Sequence, residues 1–203
     1  MLIVGLTGGI GCGKSLVSDL FHQQFSIPII DADIIAKQIS QAKDVVDAIS
    51  TQIGSEFIDD HNQINRDKLR QAIFSNSTLK NKLEEIMHPL VYNEINNQIE
   101  KLDCDYCLVS IPLLLENKRT NLIDRILVVD CAEDEQISRV MMRDNCSKTH
   151  VENIMATQIN RTSRLSLADD IIENSGTIES VSDKVAKLHK KYSELSRSQN
   201  KHG

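Results

Sequence analysis

The stretch Gly8-Gly9-Ile10-Gly11-Cys12-Gly13-Lys14-Ser15 decides the fold. It matches the pattern G-x-x-x-x-G-K-[ST], in which backbone N–H groups surround a phosphate chain, the lysine reaches the β- and γ-phosphates and the hydroxyl binds magnesium. Glycines suit such a loop because they adopt positive φ and let the backbone approach its ligand closely. An apolar run at residues 2–6 precedes the loop, and a helical pattern follows it. We therefore predict a loop that binds ATP, between a strand and a helix.

Four further strand patterns follow along the chain, as apolar runs at residues 27–30, 106–111 and 126–129 and as the short pair Ile171-Ile172 within residues 170–173. They are continuous instead of alternating, which is typical of strands buried on both faces of a parallel sheet. Helical patterns separate them, as right-handed crossovers between parallel strands require. The sequence predicts an α/β fold with a doubly wound, parallel, five-stranded sheet and a last helix, from Ile178 to Leu195, packed against it.

Two segments interrupt this alternation. Residues 37–101 are helical in pattern and free of strands, and we expect them to form a helical insert in which Asn65 caps one helix and His88-Pro89 interrupts another. Residues 133–164 are polar, and we expect a lid of two helices, with Thr149-x-x-Glu152 as a capping box. The core would comprise residues 1–36, 102–132 and 165–203.

Two carboxylates flank one alanine in Asp31-Ala32-Asp33, at the end of the second predicted strand. This is the edge at which α/β sheets bind ligands. One aspartate would suffice to cap the following helix, whereas a pair favours a polar site that faces the phosphates. Asp33 is therefore a candidate general base for a substrate hydroxyl, or an indirect magnesium ligand.

Arginines are concentrated in the predicted lid. Arg139 and Arg143 are four residues apart and share a helix face, and Arg161 and Arg164 follow. In one interpretation they close over the transferring phosphate, and in the other they form a solvated face with weak surface ion pairs. Because the phosphate-binding loop is present, we predict that at least one of them contacts phosphate. Arg66, Lys68 and His88 of the insert are weaker cues, since a lone histidine before proline is more often a helix-end residue than a ligand.

Composition excludes several classes of protein. The net charge of −6 argues against binding along nucleic acid. The chain has no run of eighteen apolar residues and starts without a basic leader, so we expect no membrane span and a cytoplasmic location. The odd count of five cysteines favours reduced thiols over disulfides.

The chain as a whole resembles the dephospho-coenzyme A kinases. The resemblance begins with the loop in its setting at residues 4–15 and with Asp31-Ala32-Asp33-Ile34-Ile35-Ala36. It continues through Glu85-Ile86-Met87-His88-Pro89 and Ile111-Pro112-Leu113-Leu114-Leu115-Glu116. Val128-Val129-Asp130, residues 158–164, Ala168-Asp169-Asp170 and Asn174-Ser175-Gly176 complete it. These segments extend over nearly the whole chain and are more specific than the loop alone.

The resemblance implies transfer of the ATP γ-phosphate to the 3′-hydroxyl of the ribose of dephospho-coenzyme A, with Mg²⁺, by a core that binds ATP, a helical domain that binds the acceptor and a lid. It implies catalytic roles for Asp33, Lys14 and Arg139 and a metal contact for Ser15. ATP would contact residues 8–15, Leu16 and Arg143. The acceptor would contact Asp31, Arg66, His88 and Arg161. We expect a monomer or a weak homo-oligomer.

Two positions depart from the family pattern. Cys12 stands where serine is common, and Ser110 stands where many members have an acid. If that acid helps to hold magnesium, Ser15 and Asp33 carry more of this task here.

Three alternatives remain at this stage. A nucleoside or nucleotide monophosphate kinase would differ only in its acceptor contacts. A regulatory GTPase is disfavoured because Asn117-Lys118-Arg119-Thr120 lacks the aspartate of N-K-x-D and the chain has no D-x-x-G. A non-enzymatic ATP-binding module would have lost the base and the lid arginines, which are present here.

Overall fold

A parallel five-stranded sheet organises the protein, whose computed structural model describes residues 1–116 and 121–199. The strands lie in the order β2-β3-β1-β4-β5, so that β1, which leads into the glycine-rich loop, is central. Every pairing is parallel, which confirms the predicted doubly wound α/β sheet. The strands are β1 (Leu2–Gly8), β2 (Ile29–Asp31), β3 (Tyr106–Ser110), β4 (Arg125–Asp130) and β5 (Asp170–Glu173).

Helices connect and flank these strands. The first is α1 (Lys14–Phe25), directly after the loop. Between β2 and β3 lie α2 (Ala32–Ile39), α3 (Lys43–Gln52), a short 3-10 turn (Ser55–Phe57), α4 (Arg66–Ser75) and α5 (Ser77–Glu100). Between β4 and β5 lie α6 (Glu133–Asp144), α7 (Lys148–Ala156) and α8 (Arg161–Ser166), and α9 (Ile178–Gln199) ends the described chain. Among the described residues, no helix is long and apolar enough to cross a membrane.

The main core lies between the sheet and the helices α1 and α9. Val4 and Leu6 of β1 are fully buried, as are Phe21 of α1 and Tyr192 of α9, whose rings stack with centroids 6.4 Å apart. Burying a side chain of this size stabilises the fold by roughly 1.5–3 kcal/mol. The continuous apolar runs are thus explained by burial of the central strands on both faces.

Two compact units make up the chain. One comprises Met1–Asp31 and the described part of Leu102–Gly203, and the other is Ala32–Lys101. The second unit has its own core, in which Ile35, Val46, Ile49 and Ile95 are buried. The helices predicted for residues 37–101 are present, whereas the functional division into core, acceptor domain and lid stays a prediction.

The predicted interruption at His88-Pro89 is wrong, because α5 continues through Pro89 to Glu100. A proline inside a helix removes one backbone hydrogen bond and costs about 3 kcal/mol. Val91, Ile95 and Ile99 after it are buried, and α5 packs against α2, α3 and α4. This packing keeps the segment helical where the local rule predicts a break.

Helix caps were predicted with mixed success. Asn65 does cap α4, since its side-chain oxygen accepts a hydrogen bond from the Lys68 backbone at 3.0 Å. The capping box at Thr149 is wrong, because α7 begins at Lys148 and is capped two residues before Thr149 by Ser147, whose hydroxyl accepts from the His150 backbone at 3.2 Å. A serine with extended backbone immediately before the helix satisfies its free amides first.

Candidate active site

The glycine-rich loop joins the end of β1 to the start of α1, in the strand–loop–helix setting that the sequence predicted. Gly11 has φ 75° and Gly13 has φ 88°, in the left-handed region that other residues avoid. Space is also short, since a Cβ atom on Gly13 would lie 2.1 Å from Nδ2 of Asn174 and one on Gly11 would lie 2.8 Å from the Gln136 carbonyl oxygen. The glycines are therefore required by backbone geometry and by close neighbours together.

Two amide side chains from outside the loop hold its backbone. Asn174, just after β5, donates from Nδ2 to the Cys12 carbonyl at 2.8 Å, and its own backbone N–H donates to the Asp130 carbonyl at 2.7 Å. Gln158, between α7 and α8, accepts from the Ile10 N–H through Oε1 at 3.0 Å. The loop is thus fixed by residues that lie about 150 positions further along the chain.

Lys14, Ser110 and Asp31 form a chain of hydrogen bonds at the carboxyl edge of the sheet. Lys14 Nζ donates to Ser110 Oγ at 2.5 Å, and this hydroxyl donates to Asp31 Oδ2 at 2.9 Å. Ser110 closes β3 and is paired in register with Asp31 on one side and with Leu6 on the other. It is only 1% exposed. The serine at this position therefore links an ammonium to a carboxylate.

Asp31 and Asp33 belong to consecutive elements. Asp31 is the last residue of β2, and Asp33 lies in the first turn of α2, where a negative charge is favoured by the helix dipole. Asp31 belongs to the first compact unit and Asp33 to the second. The catalytic role of Asp33 stays a prediction.

Asp130 and Arg161 form a two-pronged ion pair at the end of β4. Arg161 donates from Nη2 to Oδ2 at 2.6 Å and from Nε to Oδ1 at 2.9 Å. The hydrogen bonds to Asp130, together with its negative charge, raise the pKa of Arg161 above its ordinary value. The Asp130 side chain is only 6% exposed, so this pair neutralises an otherwise buried carboxylate. Arg161, which was predicted to bind the acceptor, is thus bound to a carboxylate of its own unit in this structure.

The two arginines of α6 have different surroundings. Arg139 donates to the Asn174 carbonyl at 2.9 Å and is 3.5 Å from Glu135, which brings it to the residue that holds the loop. Arg143 binds Asp144 through two hydrogen bonds of 2.7 Å, and its side chain is 62% exposed. The hydrogen bonds to Asp144 raise the pKa of Arg143, as expected for a surface ion pair. The structure brings Arg139, and not Arg143, to the neighbourhood of the loop's supports.

Arg164 lies beside the loop. It is 6% exposed and donates from Nη2 to the Ile159 carbonyl at 2.7 Å. A Cβ atom on Gly9 would lie 2.8 Å from its Nη1, so the guanidinium reaches the backbone of the loop. The side chain also lines a cavity of about 380 Å³ together with Gln136, Gln158 and Arg161. Sequence reasoning named Arg164 among the lid arginines without assigning it a ligand.

Cys12 is buried in the core cluster with Cys131, which follows β4. The hydrogen bond between the two thiols lowers the pKa of Cys12, burial opposes this shift, and the positive charge of Arg164 adds to it. The same hydrogen bond raises the pKa of Cys131. Both cysteines are free thiols, in agreement with the expectation from their odd count.

The second unit holds two predicted substrate residues. Arg66 donates from Nη2 to the Lys37 carbonyl at 3.0 Å and to Ser40 Oγ at 2.8 Å, at the wall of a cavity of about 400 Å³. His88 lies within α5, and its ring meets that of Tyr92 edge-on at 6.3 Å. The structure therefore places both in one unit but does not test their roles.

Ser15 is the predicted metal contact. It lies in the first turn of α1, after Lys14, and is exposed. The described ranges contain no cluster of three or more histidines, cysteines, aspartates or glutamates that could hold a metal without a ligand. A serine hydroxyl is a hard oxygen donor of the kind that Mg²⁺ takes, and this ion is usually bound by few protein groups together with substrate phosphates and water, so the metal contact of Ser15 stays a prediction.

Sequence reasoning missed several residues that shape this site. Ser110 was considered only for the acid it replaces, and Asp130 and Asn174 were used only as landmarks of the family. All three lie at or just after the carboxyl ends of strands β3, β4 and β5. That position in a parallel sheet was the available signal. Asn117-Lys118-Arg119-Thr120, considered for guanine recognition, lies outside the described residues.

Comparisons with known proteins agree on one family. A family model described as dephospho-CoA kinase matches residues 2–180. The chain is 40% identical over 192 residues to the dephospho-CoA kinase of Vibrio parahaemolyticus, covering 94% of each chain. It is 41% identical over 204 residues to that of Nitrosomonas europaea, covering 100% of this chain and 98% of the relative.

A solved structure supports the same assignment. The dephospho-CoA kinase from Campylobacter jejuni superposes with a TM-score of 0.69 at 26% identity, covering 95% of this chain and 97% of that one. The family model, the relatives and this structure each extend over nearly the whole chain. The protein with this loop and this sheet belongs to the dephospho-CoA kinase family.

Proposed function

We propose that this enzyme transfers the γ-phosphate of ATP to the 3′-hydroxyl of the ribose of dephospho-coenzyme A, which yields coenzyme A. The observation that carries the proposal is the glycine-rich loop with Lys14 held at the carboxyl edge of the sheet by Ser110. Membership of the dephospho-CoA kinase family supports the choice of acceptor. The reaction class follows from the loop, and the acceptor follows from the family.

ATP binds along the loop in this proposal. Residues 8–15 and Leu16 enclose the phosphates, to which the start of α1 offers unpaired amides and the positive end of its dipole, while the Ile10 N–H is bound by Gln158. Lys14 provides a compact positive charge for the β- and γ-phosphates. Arg143 is also proposed to contact ATP, on the ground of the resemblance to the family. Ser15 is the hydroxyl proposed to hold Mg²⁺, which when bound neutralises charge on the phosphates.

Phosphoryl transfer asks little covalent chemistry of the protein, so catalysis rests on position and charge. Asp33 accepts the proton of the attacking hydroxyl in this proposal, a role that contributes about 10²–10⁴-fold in rate. Lys14 and Arg139 stabilise the charge that spreads over the transferring group. The hydrogen bond from Arg139 to the Asn174 carbonyl supports the proposed role of Arg139, because Asn174 also holds the loop and Arg139 therefore lies near it.

The acceptor contacts are proposed at Asp31, Arg66, His88 and Arg161. Arg66 supports this proposal best, since it lies at the wall of a cavity. Arg161 is bound to Asp130, so that a contact with the acceptor requires this ion pair to open or to be shared. We further propose that residues 37–101 bind the acceptor and residues 133–164 act as a lid. The enzyme would work in the cytoplasm as a monomer or a weak homo-oligomer, with no nucleic acid as partner.

Coupled ADP release tests this proposal. Purified protein is assayed with ATP and Mg²⁺ and with dephospho-coenzyme A, AMP, cytidine monophosphate or no acceptor. We expect turnover with dephospho-coenzyme A only, and a loss of about 10²-fold or more in Asp33→Ala. Turnover with a nucleoside monophosphate would contradict the acceptor, and ADP release without any acceptor would indicate a simple ATPase.

Asp44→Ala is the matched control for the base. Asp44 lies in the first turn of α3, as Asp33 lies in the first turn of α2, and both helices belong to the second unit. Both substitutions remove a favourable helix-dipole interaction, but only Asp33 is proposed to take a proton. Equal losses of activity in the two variants would contradict the assignment of the base.

A further inference from the structure

Two thiols that the proposed mechanism does not use lie against each other beneath the glycine-rich loop. Cys12 belongs to the loop, and Cys131 directly follows the last residue of β4. Both side chains are fully buried in the core cluster, and they share a hydrogen bond. Both are free cysteines, so the pair is reduced in this structure. Two reduced thiols in contact are the starting point for a disulfide bond.

The surrounding backbone keeps the two cysteines side by side. Asn174 donates from Nδ2 to the Cys12 carbonyl at 2.8 Å, and its N–H donates at 2.7 Å to the carbonyl of the peptide bond that precedes Cys131. Gln136 makes a second bridge, since its Nε2 donates to the Cys131 carbonyl at 3.1 Å. The carbonyl oxygen of Gln136 would lie only 2.8 Å from a Cβ atom on Gly11. Two residues thus contact both the loop and the segment after β4.

Cys12 is the better nucleophile of the pair. Its hydrogen bond with Cys131 lowers the pKa of the Cys12 thiol, burial opposes this shift, and the positive charge of Arg164 adds to it. The same hydrogen bond raises the pKa of Cys131, which therefore keeps its proton. Since the thiolate is the form that attacks an oxidant, Cys12 should react first and Cys131 second.

The position of Cys12 in the loop makes the pair particular to this chain. The residues on either side, Gly11 and Gly13, have no side chains to cover the thiol, and both are partly exposed. A small oxidant therefore has less protein to pass here than at a cysteine within a strand. Serine is common at this position in the family, and a serine cannot form a disulfide.

We infer that Cys12 and Cys131 form an oxidation site, at which hydrogen peroxide produces a disulfide that lowers the affinity of the loop for ATP. First, the Cys12 thiolate attacks one peroxide oxygen and the O–O bond breaks. The other oxygen leaves as hydroxide, which takes up the proton that Cys12 had released, and Cys12 becomes a sulfenic acid. The Cys131 sulfur then attacks the Cys12 sulfur, and the sulfenic hydroxyl leaves as water with the proton of Cys131. Two thiols thus give two electrons to one peroxide, and two water molecules are released.

The disulfide should displace the loop, because a covalent bond brings two sulfur atoms closer than a hydrogen bond does. Cys131 is held by the end of β4 and by Gln136, so the shift falls mainly on the loop backbone at Cys12. Lys14 follows two residues later and should move with it. A misplacement of about 1 Å in a site can cost about a hundredfold. This consequence rests on the proposed function in that the loop is taken to bind ATP.

Mass spectrometry of the intact protein tests the site without an assay of activity. After treatment with hydrogen peroxide we expect a mass lower by about 2 Da, the two hydrogen atoms lost to the disulfide, and a peptide that links Cys12 to Cys131. The number of reactive thiols should fall by two from the five that the chain contains, and dithiothreitol should restore it. Oxidation of Cys104 or Cys146 while the pair stays reduced would overturn the inference.

Two variants test the order of the steps. In Cys131→Ser the reaction should stop at the sulfenic acid, with a gain of about 16 Da that dimedone traps on Cys12. Cys12→Ser should show neither this gain nor the disulfide. A sulfenic acid that forms on Cys131 in Cys12→Ser, as fast as the wild type forms its disulfide, would overturn the assignment of Cys12 as the residue that reacts first.

Calorimetry on the reduced and the oxidised wild type tests the effect on the loop. We expect the affinity for ATP to fall at least about tenfold on oxidation and to return with dithiothreitol. Cys12→Ser, treated in the same way, should keep the affinity of its own untreated form. Cys146→Ser is the control, because Cys146 lies outside the pair, and it should lose affinity as the wild type does. Unchanged affinity in a protein that carries the disulfide would overturn the effect on ATP.

These outcomes are separate from those of the proposed function. If the disulfide forms and lowers the affinity for ATP but no turnover occurs with dephospho-coenzyme A, the proposed acceptor fails and the oxidation site stands. If turnover occurs and hydrogen peroxide leaves the pair reduced, the inference fails and the proposed function stands.

Discussion

Two parts of the sheet's carboxyl edge handle charge in opposite ways. At the ends of β2 and β3, the ammonium of Lys14 and the carboxylate of Asp31 are joined through the neutral hydroxyl of Ser110. At the end of β4, the carboxylate of Asp130 is bound directly by both prongs of Arg161. We call the first the lysine side and the second the Asp130 side.

We infer from this difference that the lysine side meets the phosphates of ATP directly. The Asp130 side mainly supports the loop, and a contact between Arg161 and the acceptor requires its ion pair to open or to be shared. On the lysine side the charges are separated by a hydroxyl, so that Lys14 can exchange one neutral partner for a phosphate oxygen without breaking an ion pair. On the Asp130 side the charges neutralise each other, and the Asp130 carbonyl also accepts the backbone N–H of Asn174, which holds the loop. Substitutions on the two sides should therefore affect different quantities.

Asp130→Asn should show the largest effect, and it should be on stability. The variant leaves the guanidinium of Arg161 without its carboxylate, and we expect the free energy of unfolding to fall by about 2–3 kcal/mol. This loss is small for a broken buried ion pair, because Arg161 is partly exposed and water can solvate its charge. Urea unfolding measures this loss. The KM for ATP, measured on the protein that remains folded, should change little.

Arg161→Met in the same background completes this test. Removing both charges should recover part of the lost stability, because neither group is then left unpaired. If Asp130→Asn has the stability of the wild type but has lost turnover, the Asp130 side takes part in the chemistry and the proposed division is wrong.

Ser110→Ala should have a smaller effect, on activity. Lys14 and Asp31 lose the hydroxyl between them, and we expect kcat/KM to fall by about tenfold, which corresponds to 1.4 kcal/mol of lost positioning. Steady-state kinetics measure this loss, and Ser110→Thr, which keeps the hydroxyl, should retain most of the activity. A Ser110→Ala variant with normal kinetics and lowered stability would show that the hydroxyl only supports the fold.

Asp170 sharpens the comparison, because it is a carboxylate at the start of β5, away from the strand ends that form the site. Burial would raise its pKa, but hydrogen bonds from Arg125 and Lys191 outweigh this and hold the pKa of Asp170 below its ordinary value. A carboxylate with a lowered pKa in the folded state stabilises above about pH 4, and this stabilisation is lost as the pH falls below that value.

Asp170→Asn should therefore lower stability at neutral pH by about 2 kcal/mol, with the difference from the wild type shrinking as the pH falls below about 4. Thermal unfolding between pH 3 and 7 measures this, and kcat should not change. A difference that is constant over this range would contradict the role assigned to the charge of Asp170.

The fold was predictable because its signals are local. Each predicted strand was found within about two residues of its place. For β1, β3 and β4, burial on both faces leaves a continuous apolar run that can be seen in the sequence. Asn65 was found as a cap for the same reason. The effect of Pro89 was predicted wrongly, because the packing of α5 within the second unit outweighs the local tendency of proline to interrupt a helix.

The site was predictable where it is contiguous. The loop and Lys14 could be read from eight adjacent residues. The partner of Lys14 lies 96 positions away, and that of Asp130 lies 31 positions away. Such pairs depend on the strand order and register of the sheet, which cannot be predicted from the local sequence. Likewise, nothing in the spacing of Arg161 and Arg164 shows that one is neutralised and the other is not.

The product of the reaction tests the central claim most directly. The purified enzyme is incubated with ATP, Mg²⁺ and dephospho-coenzyme A, and the product is examined by mass spectrometry and by phosphorus NMR. We predict one added phosphate, present as a monoester on the 3′-oxygen of the ribose. An acceptor recovered unchanged while ATP is hydrolysed, or a phosphate attached at another oxygen, would contradict the assignment of this chain as a kinase of dephospho-coenzyme A.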